Sequence, residues 1–315
     1  MIAIFKREFR SYFINMSGYL FAAILLLFAG IFTTAANLIG QYAGLEYALQ
    51  SVVYISGHPL QSCRRVISEV STFRAAAISN PEAVDEMLKP LAVDKWKKKS
   101  NPHLKDERGL KHLDVRMVGI LSACSVKIPK PRPDGSVGQK WAILQLDDGD
   151  QIDAFCFAKS WEKYSALENA IDRLVLLCGE VSRRVNYEKD DKFEKRNPQL
   201  GDYNFTVREA YPLADAMPLL CDALHIRIKH EDPAFQDKIS QLRTAIVGNP
   251  GTLPVIIELA YPDGGMAQVN LGDSYRVGVD IAFLSELSKI IPPSDASFAP
   301  NDKIYLAPRE QKPWD

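Results

Sequence analysis

The spacing of apolar positions changes several times along the chain, and each change marks a new element. Residues 17–39, SGYLFAAILLLFAGIFTTAANLI, run for 23 residues without a charge. A bilayer core needs about 20 apolar residues in a helix, so this run predicts a transmembrane helix. Ahead of it, Ile2, Phe5, Phe9, Tyr12 and Phe13 recur at roughly helical spacing beside Lys6, Arg7 and Arg10. That pattern fits a short helix lying at a membrane surface, and the basic residues place the N-terminus in the cytoplasm. A signal peptide and a buried soluble helix are the competing readings. Beyond Gly57 and Pro59, Val66, Val70 and Phe73 return at three- to four-residue steps, and PEAVDEMLKPL opens another short helix at Pro81. Residues 95–112 then hold seven Lys/Arg against two acidic residues. They read as a solvated linker, with phosphate contact as the alternative.

From Asp114 the period drops to two. VRMVGILSACSVKI (115–128) is long and β-rich, with Gly119 near its middle to permit a sharp coil. WAILQLDDGDQIDAFCF reads as a hairpin turning at Asp148-Gly149. SWEKYSALENAI is a helix with Ser160 as its expected N-cap. RLVLLCGEVSRRV and YNFTVREAYPL supply two more strands around a charged loop. Three strands, a helix and two strands is the element order of the OB-fold, a five-stranded barrel whose strand 2–3 face and loops bind oligonucleotides. Another Greek-key barrel is the alternative. Further on, Phe235, Ile239, Leu242 and Ile246 form a helical stripe, Pro262-Asp263-Gly264-Gly265 forms a turn, and VIIELA pairs with MAQVNL.

The expected fold class is therefore α+β: an N-terminal transmembrane segment (1–55), a helical linker (56–113), a five-stranded OB-fold β-barrel (114–214), a small C-terminal α/β module (219–291) and an extended tail (292–315). The net charge is −1, so nucleic-acid affinity has to come from a local patch. Five cysteines, at 63, 124, 156, 178 and 221, are far apart with no CxxC pair. This argues against zinc or redox chemistry, and Cys124, Cys156 and Cys178 are expected to act as small buried hydrophobes. His58 has no neighbouring ligand set and reads as a turn residue, and the DDGD at 147–150 reads as a turn rather than a metal loop. No cofactor and no metal are expected.

Two resemblances cover the chain. FKREFRSYF followed by SGYLFAAILLLFAGIF is similar to the N-terminus of ABC-type transporter permeases. From YISGHPL onward, the ordered words VRMVGILSACSVKI, KWAILQLDDGDQIDAFCFAKSWEKY, VLLCGEVSRR and LHIRI resemble the C-terminal part of the bacterial DNA polymerase III alpha-subunit family. The first places the chain in a membrane and the second in the cytoplasm, which points to a chimeric reading frame joined near Tyr54-Ile55-Ser56. The second resemblance implies a role in DNA replication. It would bind single-stranded template DNA through the barrel, and the clamp-loader tau subunit and other polymerase III holoenzyme subunits through the C-terminal module. The family's palm carboxylates and nuclease-like domain have no counterpart here, so no catalytic activity is expected. A membrane-anchored or exported OB-fold protein binding another ligand is the alternative.

Single-strand binding requires a cationic groove and aromatic faces on which bases stack. Strand alternation puts Trp141, Ile143 and Gln145 on one face and Ala142, Leu144 and Leu146 on the core face. Trp141 and Phe155 are the stacking candidates. Lys127, Lys130, Arg132 and Lys140, with Arg183 and Arg184, are the phosphate-binding candidates. Phe157 is expected to pack within the barrel.

Overall fold

The computed structural model describes residues 59–131, 137–187, 198–304 and 306. The chain divides into two compact units, residues 1–61 and 62–315. The account below concerns the second, together with the helix that begins at Pro59.

The expectation of a transmembrane helix, and the permease-like reading built on it, is corrected by the structure. Among the described residues no helix is long and apolar enough to cross a membrane. The longest described helix has 14 residues, short of the roughly 20 a bilayer demands, and carries Asp237, Lys238 and Arg243. Residues 17–39 and His58 lie outside the described residues. The described residues form an α+β fold with two mixed sheets.

Helix α1 (Pro59–Val70), α2 (Ala75–Ile78) and α3 (Pro81–Leu88) lead in. The Asn80 side chain accepts from the Ala83 amide and Pro81 fills the first turn, so α3 starts with its orphan N–H groups reduced. The charged stretch expected as a solvated part of the helical linker is largely exposed and contains a further helix. Lys95–Ser100 forms helix α4 because the Asp94 carboxylate accepts from the Trp96 and Lys97 amides, and the last turn gathers Lys97, Lys98 and Lys99 where the helix dipole favours cations. Leu104 and Leu110 are buried, the latter in a 3₁₀ turn at Glu107–Leu110.

Strands β1 (Leu113–Lys127), β2 (Trp141–Asp147), β3 (Gln151–Cys156), β4 (Leu174–Tyr187) and β5 (Pro198–Pro212) form one closed sheet in the order β1-β2-β3-β5-β4. Pairing is antiparallel except between β3 and β5, which run parallel. Helix α5 (Ala158–Tyr164) lies between β3 and β4. It begins after Phe157, and Ser160 lies inside the helix rather than at its cap. Two glycines let the sheet close tightly. A Cβ on Gly119 would meet the Asp147 carbonyl at 2.6 Å, and one on Gly179 the Thr206 carbonyl at 2.1 Å.

The interior is filled by Val115, Met117, Leu121, Leu144, Leu146 and Phe205 among others, with Val84, Leu88 and Trp161 packed against it from the helices and Phe73 from the connection between α1 and α2. The face of β1 that points inward changes partway along. Val115, Met117 and Leu121 belong to the core, and after a register shift between Leu121 and Ala123 it is Cys124 and Val126 that pack against it. One extra residue reverses the alternation.

Helix α6 (Leu213–Leu220) leads to a second sheet. There β6 (Leu224–Lys229) pairs parallel with β8 (Val255–Ala260), which pairs antiparallel with β9 (Met266–Asn270), and β10 (Ala296–Ser297) joins the other edge of β6. Helix α7 (Phe235–Gly248), the short β7 (Pro250–Leu253) and α8 (Ile281–Ile290) complete this part. The segment expected to be an extended tail is tied down. The Phe298 amide donates to Glu69 at 2.8 Å, and the fully buried Arg116 donates to the Val70 and Lys303 carbonyls at 2.6 and 2.7 Å. Arg116 thereby links the end of α1, the start of β1 and the C-terminal segment.

Candidate nucleic-acid interface

The β1 register shift decides which side chains share the outer face of the closed sheet. Because alternation reverses at Ser122, Ala123, Ser125 and Lys127 point outward at the far end of β1. On that face Lys127 stands directly opposite Trp141, Ser125 opposite Ile143, and Ala123 opposite Gln145. In β3, Phe155 stands opposite Ile143 and Asp153 opposite Gln145. The structure thus brings Lys127, Trp141 and Phe155 onto one three-stranded face. Lys127, Lys130 and Lys140 are exposed, while Trp141 and Phe155 are half-buried.

Phe157 joins them, and the expectation that it packs in the barrel is corrected. It is 54% exposed, and its ring centroid lies 6.2 Å from that of Trp141 with the planes tilted by 32°. The reason is parity. Ala154 and Cys156 are buried, so Phe155 and Phe157 share the opposite face. The same alternation that assigned Phe155 was the signal available for Phe157.

Arg183 is placed elsewhere. Its Nη2 lies 3.4 Å from Asp85 Oδ2 and its guanidinium sits 4.9 Å from the centre of the Tyr203 ring. Its Nε is buried without a hydrogen-bond partner among the described residues. The Tyr203 hydroxyl donates to Asp85, and burial followed by this bond pushes the phenol up to about 12. Arg183 therefore closes a structural cluster between β4, β5 and α3. Arg184 is exposed, and Arg132 lies outside the described residues.

Two other features carry charge. A groove of about 480 Å³ beside α3 is lined by Glu82, Asp85, Glu86, Asp106 and Glu107 with Lys89, Arg108 and Lys111. Arg108 is taken up by Asp106 and Asp85, at 2.5 and 3.3 Å. Its guanidinium, hydrogen-bonded to Asp106, holds that carboxyl below the usual range. An acidic lining repels phosphate. The second feature is His112, Asp114 and Glu180, whose ligand atoms lie within 4.8 Å of one another and whose donor types suit a divalent metal. His112 Nδ1 is 3.2 Å from Asp94 Oδ2, and Lys97 Nζ is 3.7 Å from Glu180, so these side chains connect α4 and its N-cap with β1 and β4.

The DDGD turn does more than reverse the chain. Gly149 takes φ 117°, as the turn requires. Asp148 is buried, accepts from the Ala75 amide at 3.1 Å and pairs with Arg74 at 2.9 Å. The hairpin is thereby anchored to the start of α2. Of the cysteines, Cys63, Cys156, Cys178 and Cys221 are buried and Cys124 is partly so, all with free thiols.

No family model and no curated protein matches the chain.

Proposed function

We propose that this chain is a non-catalytic DNA-replication module that binds single-stranded DNA on the outer face of β1–β3. What supports the reading is one juxtaposition: Trp141 and Phe157 side by side, with Lys127 directly opposite Trp141. Stacked bases need flat apolar faces, and a strand's phosphates need cations within reach of those faces. Lys130 and Lys140, exposed beyond the ends of β1 and before β2, extend the cationic border. Following the resemblance to the polymerase III alpha-subunit family, residues 219–291 are proposed to contact the clamp-loader tau subunit and the holoenzyme, in the cytoplasm.

The test is anisotropy of a fluorescein-labelled oligothymidylate titrated with the full chain, alongside a duplex of equal length. The proposal expects the single strand to bind more tightly than the duplex. Equal affinity for both, or no binding to either, contradicts it.

A further inference from the structure

The face that carries Trp141 and Phe157 changes character along its length. Its successive rungs are Lys127–Trp141, then Ser125–Ile143–Phe155, then Ala123–Gln145–Asp153, then Asp147–Gln151. Rungs two residues apart are separated by about 6.7 Å. Aromatic and cationic groups therefore hold the first two rungs, and carboxylates hold the next two. Asp153 and Asp150 are exposed and Asp147 is half-buried. The remaining carboxylate of the hairpin, Asp148, is buried and takes up Arg74. Asp147, Asp150 and Asp153 have no basic partner among the described residues.

We infer that Asp153, backed by Asp147 and Asp150, bounds the nucleic-acid footprint. A single strand crosses β1–β3 at the Trp141 end and is turned away from the tip of the β2–β3 hairpin. This rests on the DNA-binding reading above and adds a direction and a limit to it. A phosphate beside Phe155 would lie about one rung from Asp153. Two like charges about 7 Å apart in water repel enough to cost about threefold in affinity. That separation is inside the screening length of about 10 Å at 0.1 M salt.

The experiment measures anisotropy of a labelled oligothymidylate of about 12 nucleotides, within the span one such domain covers. It uses the full chain and the variants Asp153→Asn, Asp153→Lys and Glu231→Gln. Among the described residues Asp153 makes no side-chain bond that its replacement would break, and circular dichroism checks that each variant folds. Glu231 is exposed beyond β6, so Glu231→Gln makes the same change in net charge away from the face. Asp153→Asn is expected to bind about threefold more tightly at low salt. The advantage should vanish near 1 M, where screening falls to about 3 Å. Asp153→Lys is expected to steepen the dependence of log affinity on log salt by about 0.7. Glu231→Gln should bind as the native chain does. If Asp153→Asn gains nothing, or Glu231→Gln gains equally, the boundary is overturned while DNA binding stands. If the native chain binds no oligothymidylate, both readings fall.

Discussion

The rings of Trp141 and Phe157 lie 6.2 Å apart and tilted by 32°, at the end of a strand pair where Lys127 faces Trp141 directly. Under the proposed single-strand binding, two aromatic faces at that spacing serve as platforms for neighbouring bases. Base–aromatic stacking contributes about 1–3 kcal/mol per base. Trp141→Ala and Phe157→Ala are each expected to weaken oligothymidylate binding by about 5- to 150-fold, the same energy expressed as affinity. Phe157→Ala should leave the urea midpoint nearly unchanged, since the ring is mostly exposed. An unchanged affinity in both variants would remove the platform from the account.

The hairpin anchor predicts a long-range effect on stability. Arg74→Ala leaves the buried Asp148 with the Ala75 amide and without its cation. An under-satisfied buried acceptor costs about 1–3 kcal/mol. Asp148→Asn keeps an acceptor for the amide but loses the ion pair, so its loss should be smaller than that of Asp148→Ala. Urea unfolding of the three variants checks this order, and equal midpoints for all three would contradict it.

Glycine substitutions should differ in sign. At Gly179 and Gly119 a methyl group would press on the Thr206 or Asp147 carbonyl, and backbone cannot step aside as a side chain can. Gly179→Ala is expected to cost about 1–3 kcal/mol or more through overpacking. At Gly248, the last residue of α7, nothing lies within 4 Å, so Gly248→Ala should stabilise by about 0.5–1 kcal/mol. Thermal denaturation distinguishes the two directions.

The thiols predict an alkaline limit. Burial is the largest influence on each, pushing Cys63 up to about 11 and Cys156 and Cys221 up to about 12, from an ordinary value of 9.0. The folded state holds these groups neutral more firmly than the unfolded chain does. Their stabilising contribution is therefore fully present below 9.0 and is lost as pH rises from there toward about 12. Denaturant midpoints should fall across that window and be steady from pH 7 to 8.5 as far as the thiols contribute. Native-state alkylation at pH 8 should reach Cys124 before Cys63, Cys156 or Cys221. Fast, equal labelling of all four would contradict the burial pattern.

How far the sequence reveals this arrangement varies with the range of the interaction. The strands of the closed sheet follow from alternation, and the hairpin turns at Asp148-Gly149 and Gly264 follow from the residues that tolerate positive φ. The charge density of residues 95–112 conceals helix α4, although Asp94 is an N-cap signal that local reading offers. The β1 register shift is not visible, because Ser122 looks like any other outward residue in a strand. It nevertheless decides that Lys127 faces outward beside Trp141. The Arg74–Asp148 and Arg183–Asp85 pairs join residues 74 and 98 positions apart, and no periodicity encodes such partners.

The salt dependence of single-strand binding tests the central claim most directly. Each phosphate neutralised on a single strand contributes a slope of about −0.7 in log affinity against log salt. With Lys127, Lys130 and Lys140 engaged, the full chain should give a slope of about −2 or steeper. Replacing all three by Gln should flatten it by about 2 while leaving the fold intact. A slope near zero, or one that survives the triple replacement, would contradict a nucleic-acid interface on this face.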